Sequence, residues 1–474
     1  MSSKSGDRVT SSEWFFYQSA LVQASARVNT FKNIAVVGAG WAGLAAAVRL
    51  QDLGARVTVF EAAPITGGRA RGVDDIHMGC IDNGQHLMLG AYTETLRLIE
   101  RLHPHVPLEQ LMLRTPLHLE SADGSFKLHA PSSLPAPLNT LWALFFSRGI
   151  SVRDSVRALS MMTGCRLKSW RAQPSETVAE LLERYQQSAV LLRRLWVPLC
   201  LASLNTPIHQ ACAQLFLNVL RDSLDARQGD SDLLIPRVDL TRLWPAAAAE
   251  RVEMRYRHIV RALCVKQTHI EIDTEPFDAC VLATPPYAAL RILLNEQKAV
   301  NQMHAPIQEH VEDLHKKLLG FEYRAIATLT LELEANWRLP APMMMLDEDP
   351  KIGHFGQWAF NRAEQPRQLT VVVSDAADYL KLERAHFVQA IAEQIRAQSL
   401  KHPQCTHRMP EVRHHRLIVE KRATFDATPA LPRPSNRSPW TRVTLAGDWT
   451  DTGYPSVLEG AVRSGQAAAN LLLA

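Results

Sequence analysis

The feature that most restricts the fold is a glycine-rich turn in the stretch VVGAGWAGLAAAVRL. Its glycines, Gly38, Gly40 and Gly43, have the spacing G-x-G-x-x-G. The preceding apolar residues predict a buried strand, the following Ala- and Leu-rich residues predict a helix, and RVTVFE (56–61) predicts a second strand. In such a unit the backbone approaches a phosphate, which binds at the helix N-terminus. The sequence therefore predicts a dinucleotide-binding domain.

Two features beyond the turn indicate which dinucleotide this domain binds. The second strand ends at Glu61, about 20 residues past the turn, where a carboxylate reaches the hydroxyl groups of a ribose. The stretch GGRAR then supplies bare backbone at Gly68 and a cation at Arg69. A nicotinamide dinucleotide does not need contacts so far along the chain, whereas FAD is long and binds in an extended form. The order of acid, glycine pair and arginine therefore favours FAD.

A second stretch with residues suited to cofactor binding, LAGDWT, lies near the end of the chain and contains Gly447 and Asp448. Asp448 is predicted to accept a hydrogen bond from the ribityl chain of the flavin, and the backbone of Gly447 to approach the pyrophosphate. A helix beginning near Leu458 is predicted to point its N-terminus at the flavin, where the helix dipole stabilises negative charge. The small side chain of Ala461 permits a close approach.

The dinucleotide-type features occur near the start, in the middle and near the end of the 474-residue chain. One FAD-binding domain is therefore predicted from three segments, residues 31–110, 241–290 and 415–474. The intervening residues, 111–240 and 291–414, are predicted to form a substrate domain of sheet and helix. Residues 1–30 are predicted to be an N-terminal extension. The predicted class is α/β, with a Rossmann-like FAD-binding domain joined to an α+β substrate domain.

Composition argues against several other classes of protein. Charged residues make up 21% of the chain and hydrophobic residues 46%, which is typical of a globular protein with an ample core. The net charge of +4 is too small to indicate nucleic-acid binding. The seven cysteines include no C-x-x-C pair and the clustered histidines lack ligand spacing, so reduced thiols and no metal site are predicted. No apolar stretch reaches the roughly 20 residues of a membrane-spanning helix.

Three longer stretches resemble a known family: DNGQHLMLGAYTETLRLIERL (82–102), LWVPLCLASLNTPIHQACAQLFLNVLRDSL (195–224) and LAGDWTDTGYPSVLEGAVRSG (445–465). They resemble hydroxysqualene dehydroxylases, bacterial enzymes of squalene and hopanoid synthesis in the flavin amine oxidase and carotenoid desaturase superfamily. The resemblance spans about residues 32–474. It implies an FAD-dependent oxidoreductase that removes the hydroxyl group of hydroxysqualene to give squalene, with hydride from reduced flavin passing to an allylic cation.

The resemblance also implies that the backbone of Val260 binds the adenine end of FAD. The FAD-binding residues predicted from the motifs and the resemblance together are Gly38, Gly40, Trp41, Ala42, Gly43, Glu61, Gly68, Arg69, Val260, Gly447, Asp448, Leu458 and Ala461.

The proton donor that such a reaction needs is sought in DNGQH, which follows the GGRAR loop and should approach the flavin. His86 is the first catalytic candidate and Asp82 the second, while Tyr454 in TDTGYP approaches from the other side. Each of these residues has an alternative role in bracing its own loop. Asn205 and Thr206 in SLNTP either line the substrate cavity or end a helix.

The implied substrate is a long isoprenoid hydrocarbon, so an apolar tunnel that opens towards the bilayer is expected. Residues 137–171 suit an interfacial position, because apolar residues from Leu138 to Phe146 are followed by six Lys and Arg residues and one Asp. A core-facing helix pair with a basic outer face is the alternative. The expected location is the cytoplasmic side of the bacterial cytoplasmic membrane, as a peripheral protein.

The chain has no second G-x-G-x-x-G for a nicotinamide cofactor. We therefore expect that an external electron donor or a reductase reduces the flavin. We also expect contacts with upstream enzymes of the squalene pathway and no nucleic-acid partner. A phytoene- or carotenoid-type desaturase, which uses the flavin in the opposite direction, is the main alternative function. The remaining alternatives are a flavin amine oxidase and a non-redox protein that binds prenyl lipids.

Overall fold

The computed structural model describes residues 31–131, 133–134, 138–224, 227, 229–294 and 305–473. The N-terminal extension predicted for residues 1–30 lies outside the described residues. The strands are β1 (Asn33–Val37), β2 (Arg56–Phe60), β3 (Gly72–Asp75), β4 (Gly79–Asp82), β5 (Met88–Leu89), β6 (Met112–Thr115), β7 (His118–Glu120), β8 (Lys127–His129), β9 (Leu233–Pro236), β10 (Glu253–Arg255), β11 (Leu263–Val265), β12 (Ile270–Ile272), β13 (Glu275–Phe277), β14 (Ala279–Leu282), β15 (Tyr323–Leu333), β16 (Met343–Met345), β17 (Trp358–Asn361), β18 (Gln368–Ser374), β19 (Val412–Phe425) and β20 (Val443–Leu445).

The described helices lie between these strands, singly or in groups. The α-helices are α1 (Trp41–Asp52), α2 (Thr93–Leu102), α3 (Leu108–Leu111), α4 (Leu138–Phe145), α5 (Val152–Leu167), α6 (Val178–Arg184), α7 (Ala189–Leu191), α8 (Val197–Leu204), α9 (Ala213–Leu224), α10 (Leu240–Leu243), α11 (Pro245–Ala249), α12 (Pro286–Leu294), α13 (Ala305–Leu319), α14 (Arg384–Ser399) and α15 (Leu458–Leu473). A π-helical turn, Leu192–Trp196, joins α7 to α8, and 3₁₀ helices occupy Pro350–Ile352 and Tyr379–Lys381.

The first five-stranded sheet has the order β10-β2-β1-β14-β20, and every neighbouring pair in it is parallel. Parallel strands need crossover connections, and α1 makes the connection between β1 and β2. One face of the sheet packs on α1 and α15 through residues such as Val36 and Val281. The other face packs on the sheet β11-β12-β13. Both faces are therefore buried, which explains the continuous apolar runs of these strands.

The first sheet brings together three segments that are distant in the sequence. Strand β14 lies between β1 and β20, so that Leu282 is paired with Val37 on one side and Leu445 on the other. Helix α15 packs directly on α1, where an added Cβ at Gly465 would lie 2.1 Å from the carbonyl oxygen of Ala42. Because the strands are parallel, the loops that follow them meet at one edge of the sheet, where ligands of such folds bind.

The second five-stranded sheet, β16-β17-β18-β15-β19, is antiparallel throughout. Helix α14 covers one of its faces through residues such as Phe387 and Ile391. Strand β19 spans Val412–Phe425, so the predicted start of the third FAD-binding segment at residue 415 falls inside this sheet. The chain returns to the first sheet only at β20. The boundary predicted at residue 415 thus lies within a strand that pairs with β15 and not with β14.

Helices α4 to α9 form the helical region that the sequence predicts between 138 and 224. In α4 and α5, one face is buried through residues such as Leu144 and Met161, while other large apolar side chains point to the solvent. The exposed ones in these two helices are Leu138, Trp142, Phe145, Val152, Val156 and Leu167, and Phe146, which directly follows α4, is exposed as well. Among the described residues, no helix combines the length and the apolar character that crossing a membrane requires.

Candidate functional site

The glycine turn that follows β1 is packed too closely for side chains at two of its three glycines. Gly38 has a φ of +105°, which L residues rarely adopt, and an added Cβ there would lie 2.6 Å from the carbonyl oxygen of Ala283. An added Cβ at Gly43 would lie 1.9 Å from the carbonyl oxygen of Gly38. At Gly40, by contrast, no heavy atom lies within 4 Å of an added Cβ. Gly40 therefore borders open space at the start of α1.

The N-terminus of α1 is suited to an anion. Gly40 is the N-cap residue, no side chain caps the helix, and its first turn contains no acidic residue. The free N–H groups and the dipole at such a helix end favour a phosphate. Beside the turn, the N–H groups of Ala39 and Ala63 donate to the two carboxylate oxygens of Glu61, at 2.7 and 2.8 Å. Each oxygen retains lone pairs for the hydroxyl groups of a ribose.

Trp41 and Ala42 shape the turn through buried side chains. The indole N–H of Trp41 donates to the carbonyl oxygen of Ala70 at 3.0 Å, and its ring meets that of Trp244 edge-on. The Trp41 side chain therefore ties the glycine turn to the GGRAR loop, and its backbone is the part that faces a ligand at the helix N-terminus. The carbonyl of Ala42 lies against Gly465 of α15. The contacts predicted between FAD and Trp41 and Ala42 would thus involve the backbone of these residues or the packing of the turn.

The GGRAR loop lies directly against the glycine turn. The N–H of Gly67 donates to the carbonyl oxygen of Ala39 at 2.9 Å, and an added Cβ at Gly68 would lie 3.1 Å from the Cα of Gly40. This close approach explains the glycine at position 68. It also places Arg69, the next residue, beside the glycine turn.

Arg69 connects the first segment of the site to the third. A guanidinium nitrogen of Arg69 lies 2.6 Å from a carboxylate oxygen of Asp448, and another donates to the carbonyl oxygen of Ala423 at 2.6 Å. Burial alone would lower the pKa of Arg69, but the adjacent Asp448 carboxylate outweighs this effect and the pKa is raised. The two stretches that the sequence predicts as separate FAD contacts, GGRAR and LAGDWT, therefore lie together. Asp448 is held with one carboxylate oxygen bound and the other available.

Arg433 organises the third segment, and the sequence analysis did not single it out. Its guanidinium donates to the carbonyl oxygens of Asp448, Trp449, Thr450 and Tyr454 and to the hydroxyl group of Thr452. Burial lowers the pKa of Arg433 to about 10, and the nearby Asp451 and Asp448 carboxylates oppose this shift. The loop that follows β20 thus wraps around one buried cation. The surrounding sequence, LPRPSNRS, offers no motif that would have identified it.

The start of α15 is fixed by neighbouring elements. Helix α15 begins at Leu458, and the N–H of Ala461 donates to the carbonyl oxygen of Val457 at 3.1 Å. Glu459, almost fully buried, accepts from the N–H and the hydroxyl group of Thr95 at 3.0 and 2.7 Å, and so supplies the cap that α2 lacks on its own. Leu458 and Ala461 are therefore rigidly placed next to the site.

Two observations test whether these residues suit FAD. Thr284, in the loop that follows β14, has a buried hydroxyl oxygen without a hydrogen-bond partner among the described residues. Its N–H lies against the glycine turn, 3.5 Å from an added Cβ at Gly38. Val260 has a buried side chain, and its backbone N–H and carbonyl make no hydrogen bond within the part of the chain that the structure describes. These unused groups, together with the open N-terminus of α1, fit an extended dinucleotide.

A cavity opens between the first and second sheets at the predicted flavin end of the site. Asp448 and Arg69 lie on one side of it, and Trp449 and Phe425 contribute apolar walls. Its outer wall contains Tyr287, Tyr323, Glu420 and Arg422. The guanidinium of Arg422 lies over the ring of Tyr287, 4.3 Å from its centre. No motif in the sequence predicts this outer wall, because its residues come from three elements that are distant in the chain, α12, β15 and β19.

Asp82, the second candidate proton donor, points away from this cavity. One carboxylate oxygen accepts from the N–H of Leu240 at 2.8 Å, and the other lies 3.8 Å from the guanidinium of Arg362. Burial raises the pKa of Asp82 to about 6, although both of these contacts oppose the shift. The neighbouring Asn83 faces the other way and donates to the carbonyl oxygen of Arg69 at 2.9 Å. The side chain of Asp82 thus braces α10 against the β3–β4 hairpin.

His86 and Tyr454 are placed differently from one another. The Nδ1 atom of His86 lies 2.7 Å from the carbonyl oxygen of Gly84. Burial lowers the pKa of His86, the bond to Gly84 opposes this shift, and the positive charge of Arg69 reinforces it. The hydroxyl group of Tyr454 donates to Asp222 of α9, and burial together with this bond raises its pKa to about 12. Of the three candidate proton donors, His86 is the one whose pKa is lowered by the charge of Arg69.

The SLNTP residues end a helix, which was one of their two predicted roles. Asn205 has a φ of +52° just after α8, and its amide donates to the hydroxyl group of Thr424 at 2.9 Å. The hydroxyl group of Thr206 bonds to Asp426 and accepts from the N–H of Ala427. Both side chains are buried, and they attach the helical region to the end of β19.

A parallel sheet with a glycine turn, a carboxylate at the end of its second strand and a second loop that reaches a distant Asp is typical of a dinucleotide-dependent oxidoreductase of the extended, flavin-binding type. The chain belongs to the flavin-containing amine oxidoreductase family, whose model matches residues 41–473. The prediction of an FAD-dependent oxidoreductase with a Rossmann-like domain is therefore confirmed, and FAD is its cofactor.

Individual relatives agree with this family. The hydroxysqualene dehydroxylase of Rhodopseudomonas palustris is 29% identical over 470 residues, which cover 94% of this chain and 99% of that protein. A chloroplastic 15-cis-phytoene desaturase of Glycine max is 21% identical over 96% of this chain and 82% of its own length. Among solved structures, cyclohexylamine oxidase from Brevibacterium oxydans has the same fold, with a TM-score of 0.65 and 16% identity over 94% of this chain and 99% of that one.

Proposed function

We propose that the protein removes the hydroxyl group of hydroxysqualene and releases squalene, with FAD as its redox cofactor. The observation that carries this proposal is the end-to-end similarity to the Rhodopseudomonas palustris hydroxysqualene dehydroxylase, which covers nearly all of both chains. A phytoene-type desaturase is the second candidate. It is supported by a relative of lower identity, of which this chain covers a smaller share.

In this reaction the chain must bind FAD beside the substrate, deliver a proton and exclude water. When bound in its reduced form, FAD supplies a hydride to the carbon that loses the hydroxyl group. The N-terminus of α1 and Glu61 suit the dinucleotide, while Arg69 and Asp448 suit the ribityl and pyrophosphate region. Loss of the hydroxyl group as water needs a proton, and the allylic cation that remains must be shielded from water.

We propose that His86 donates the proton to the substrate hydroxyl group. Because Nδ1 faces the carbonyl oxygen of Gly84, Nδ1 carries the hydrogen and Nε2 is free to exchange a proton with the substrate hydroxyl group. Its pKa is lowered, so the imidazole is neutral at pH 7 and becomes protonated as the pH falls. Asp82 and Tyr454 remain alternative donors, although their side chains bond to Leu240 and Asp222.

An apolar path for the substrate is supported at a second cavity. This cavity lies between β6, β9 and β16 and is lined by apolar residues that include Leu233, Ile235 and Met343, with His118 and His129 at one side. The hairpin β7–β8 that carries these histidines contacts α4, the helix with exposed Trp142. We therefore propose that a long isoprenoid enters from the side of α4.

The exposed apolar side chains of α4 and α5 support a peripheral position on the cytoplasmic face of a bacterial membrane. Trp142 and Phe146 stack at 4.0 Å between ring centres, and Phe146 is 69% exposed. Basic residues such as Arg153 lie on the same segment. Aromatic anchors beside cations favour an interface with anionic lipid. Such a position also allows contact with upstream enzymes of the squalene pathway.

Replacing both aromatic anchors, Trp142→Ser with Phe146→Ser, is expected to weaken binding to vesicles of phosphatidylethanolamine and phosphatidylglycerol by about tenfold or more, because apolar area no longer enters the interface. Flotation of the holoprotein with vesicles measures this. The matched control is Leu319→Ser with Ile352→Ser, which removes two exposed apolar side chains elsewhere. Equal flotation of the anchor variant and the control would contradict the membrane assignment.

The reaction itself is tested by a single turnover without oxygen. Holoprotein reduced with dithionite and freed of excess reductant is mixed with hydroxysqualene. We expect return of the oxidised flavin absorbance and one squalene per flavin, detected by gas chromatography and mass spectrometry. Bleaching of the oxidised holoprotein by phytoene, with no conversion of hydroxysqualene, would instead support the desaturase. Bleaching by amines would support an amine oxidase, and binding of prenyl lipids without any redox change would support a carrier.

The same assay tests the role of His86. The wild-type rate is expected to rise as the pH falls from 8 to 6, because protonation of an imidazole with a lowered pKa increases in that direction. His86→Gln is expected to slow the reaction by about 100-fold and to remove the pH dependence. Asp82→Asn serves as the control and should stay within a few-fold of the wild-type rate. If the Asp82→Asn variant reacted slowly while the His86→Gln variant kept the wild-type rate, Asp82 and not His86 would be the proton donor.

A further inference from the structure

The outer edge of the second sheet is basic. Strand β19 is the last strand of that sheet, and its exposed cations are Arg413, Arg416, Lys421 and Arg422. Within the described residues, none of the four makes an ion pair with a carboxylate. Carboxylates also lie near these cations: Glu420 is next to Lys421 in β19, Glu332 of β15 is opposite His414, and Glu411 is paired with Arg396. Asp75 is the acid whose pKa Arg416 helps to lower, after the hydrogen bonds from its own loop. We call these four cations the basic edge.

A bulge in β19 connects the basic edge to the flavin end of the candidate site. The pairing of β15 with β19 runs from Arg324 opposite Thr424 to Ile326 opposite Glu420, so three residues of β19, 421–423, face one residue of β15. Bulges of this kind redirect side chains, and they are frequent next to active sites. Here the bulge directs Arg422 over the ring of Tyr287 in the cavity wall.

The same bulge contacts the site through its backbone. The carbonyl oxygen of Ala423 accepts from Arg69, the residue that is paired with Asp448. The N–H of Arg422 donates to the carboxylate of Glu420 at 3.2 Å, which fixes the bulge in this form. Lys421 is on the solvent side, one residue from the cavity wall. The basic edge is therefore the charged surface that borders the wall closest to Arg69.

We propose that the basic edge docks a small acidic electron-carrier protein, which passes electrons to the flavin across the wall formed by Tyr287 and Arg422. This proposal rests on the proposed function, because the conversion of the alcohol to the hydrocarbon and water consumes two electrons and two protons. The chain contains one G-x-G-x-x-G motif, which the FAD site uses. Each turnover oxidises two molecules of a one-electron carrier, which bind one after the other and give one electron each to the flavin, and solvent supplies the protons.

Charge complementarity favours such a carrier over a lipid surface at this place. Complexes of electron-transfer proteins are small and short-lived, and opposite charges increase their rate of formation. The basic edge carries no exposed aromatic residue, unlike α4. Its neighbouring apolar contact is Ile76, which is 93% exposed at the tip of the β3–β4 hairpin, where His77 stacks on His414 of β19. A single exposed apolar residue, Ile76, beside several cations suits the binding of a protein partner that is attracted mainly by its opposite charge.

The experiment mixes oxidised holoprotein, without oxygen, with a reduced acidic flavodoxin or ferredoxin and follows bleaching of the FAD absorbance. The edge variant combines Arg413→Glu, Arg416→Glu and Lys421→Glu. We expect its second-order rate constant at low salt to fall by about tenfold or more, and the strong salt dependence of the wild type to disappear. The control variant, with the same change in net charge, is Arg251→Glu, Lys351→Glu and Lys401→Glu, and it should stay within about twofold of the wild type.

Three further measurements decide the interpretation. A neutral variant, with Gln at the same three edge positions, is expected to show an intermediate rate and the same FAD content as the wild type, which separates docking from misfolding. Equal rates for the wild type and the edge variant would overturn the proposal, as would rapid bleaching by NADPH alone. Loss of vesicle binding in the edge variant, with unchanged electron transfer, would also overturn it in favour of a lipid surface.

The dithionite single turnover distinguishes this proposal from the proposed function. The edge variant reduced with dithionite is expected to convert hydroxysqualene at the wild-type rate, since the carrier is bypassed. If the dithionite-reduced wild type fails to convert hydroxysqualene, while reduction by the carrier still depends on the basic edge, then the substrate assignment fails and the docking surface stands.

Discussion

Gly40→Ala is expected to deprive the protein of FAD and to leave the apoprotein as stable as the wild type. The φ of Gly40 is −72°, which any residue adopts, and no heavy atom lies within 4 Å of an added Cβ. The methyl group therefore causes no strain in the protein itself. It projects into the open space at the N-terminus of α1, where the pyrophosphate is predicted to bind. Losing hydrogen bonds to a charged group there is expected to weaken FAD binding by about 100-fold or more.

Calorimetric titration of the apoprotein with FAD measures this loss, and thermal unfolding of the apoprotein provides the comparison. Gly43→Ala is the matched variant, because its added Cβ would lie 1.9 Å from the carbonyl oxygen of Gly38. It should lower the thermal midpoint of the apoprotein as well as the affinity for FAD. If Gly40→Ala bound FAD as tightly as the wild type, the glycine turn would not hold the pyrophosphate.

Arg433→Ala is expected to destabilise the protein by about 3–5 kcal/mol and to abolish FAD retention. Its removal leaves the carbonyl groups of Asp448, Trp449, Thr450 and Tyr454 without their donor, and each buried acceptor left unpaired costs about 1–3 kcal/mol. The loop that carries Asp448 then loses the cation around which it folds. The packing of the guanidinium on the ring of Phe425, 4.7 Å from its centre, is lost as well.

Denaturant unfolding of the holoprotein and the flavin absorbance of the purified variant measure these two effects. Arg433→Lys keeps the positive charge but cannot reach five acceptors with one ammonium group, so an intermediate loss of stability is expected. Arg437→Ala, four residues further along and exposed, serves as the control and should change stability little. An Arg433→Ala variant that unfolds like the wild type would show that the loop is held by other contacts.

The parts of the fold that were predicted correctly are those with a strong local pattern. The β1–α1–β2 unit was predictable because a glycine turn, an apolar strand and a helix follow one another. The stretch LHLESADGSFKLHA (117–130), with Asp-Gly at its centre, predicts a hairpin, which forms between His118–Glu120 and Lys127–His129 with Gly124 in the left-handed region. The regular amphipathic period of residues 383–400 predicts a helix, which spans Arg384–Ser399.

The predictions that failed or stayed incomplete depend on contacts between distant residues. The pattern of RHIVRALCV (257–265) predicts a strand, but a strand forms only at Leu263–Val265, because the N–H groups of Arg261 and Ala262 donate to the carboxylate of Asp273 instead of a neighbouring strand. The boundary predicted at 415 falls inside β19, because the alternation of residues in a strand does not reveal which strand it pairs with. Arg433 was missed because its partners are backbone carbonyls, which leave no trace in the side-chain pattern.

The arrangement of the first sheet has a consequence for how the protein acquires its cofactor during synthesis. Strand β20 and helix α15 are synthesised long after β1, α1 and β2, yet α15 covers α1 through the contact of Gly465 with Ala42. Until β20 and α15 have been made, the β1–α1–β2 unit exposes a face of small apolar residues and lacks Asp448. Nascent chains should therefore remain colourless and dependent on chaperones until these two elements have left the ribosome, and flavin capture should coincide with closure of the domain by α15.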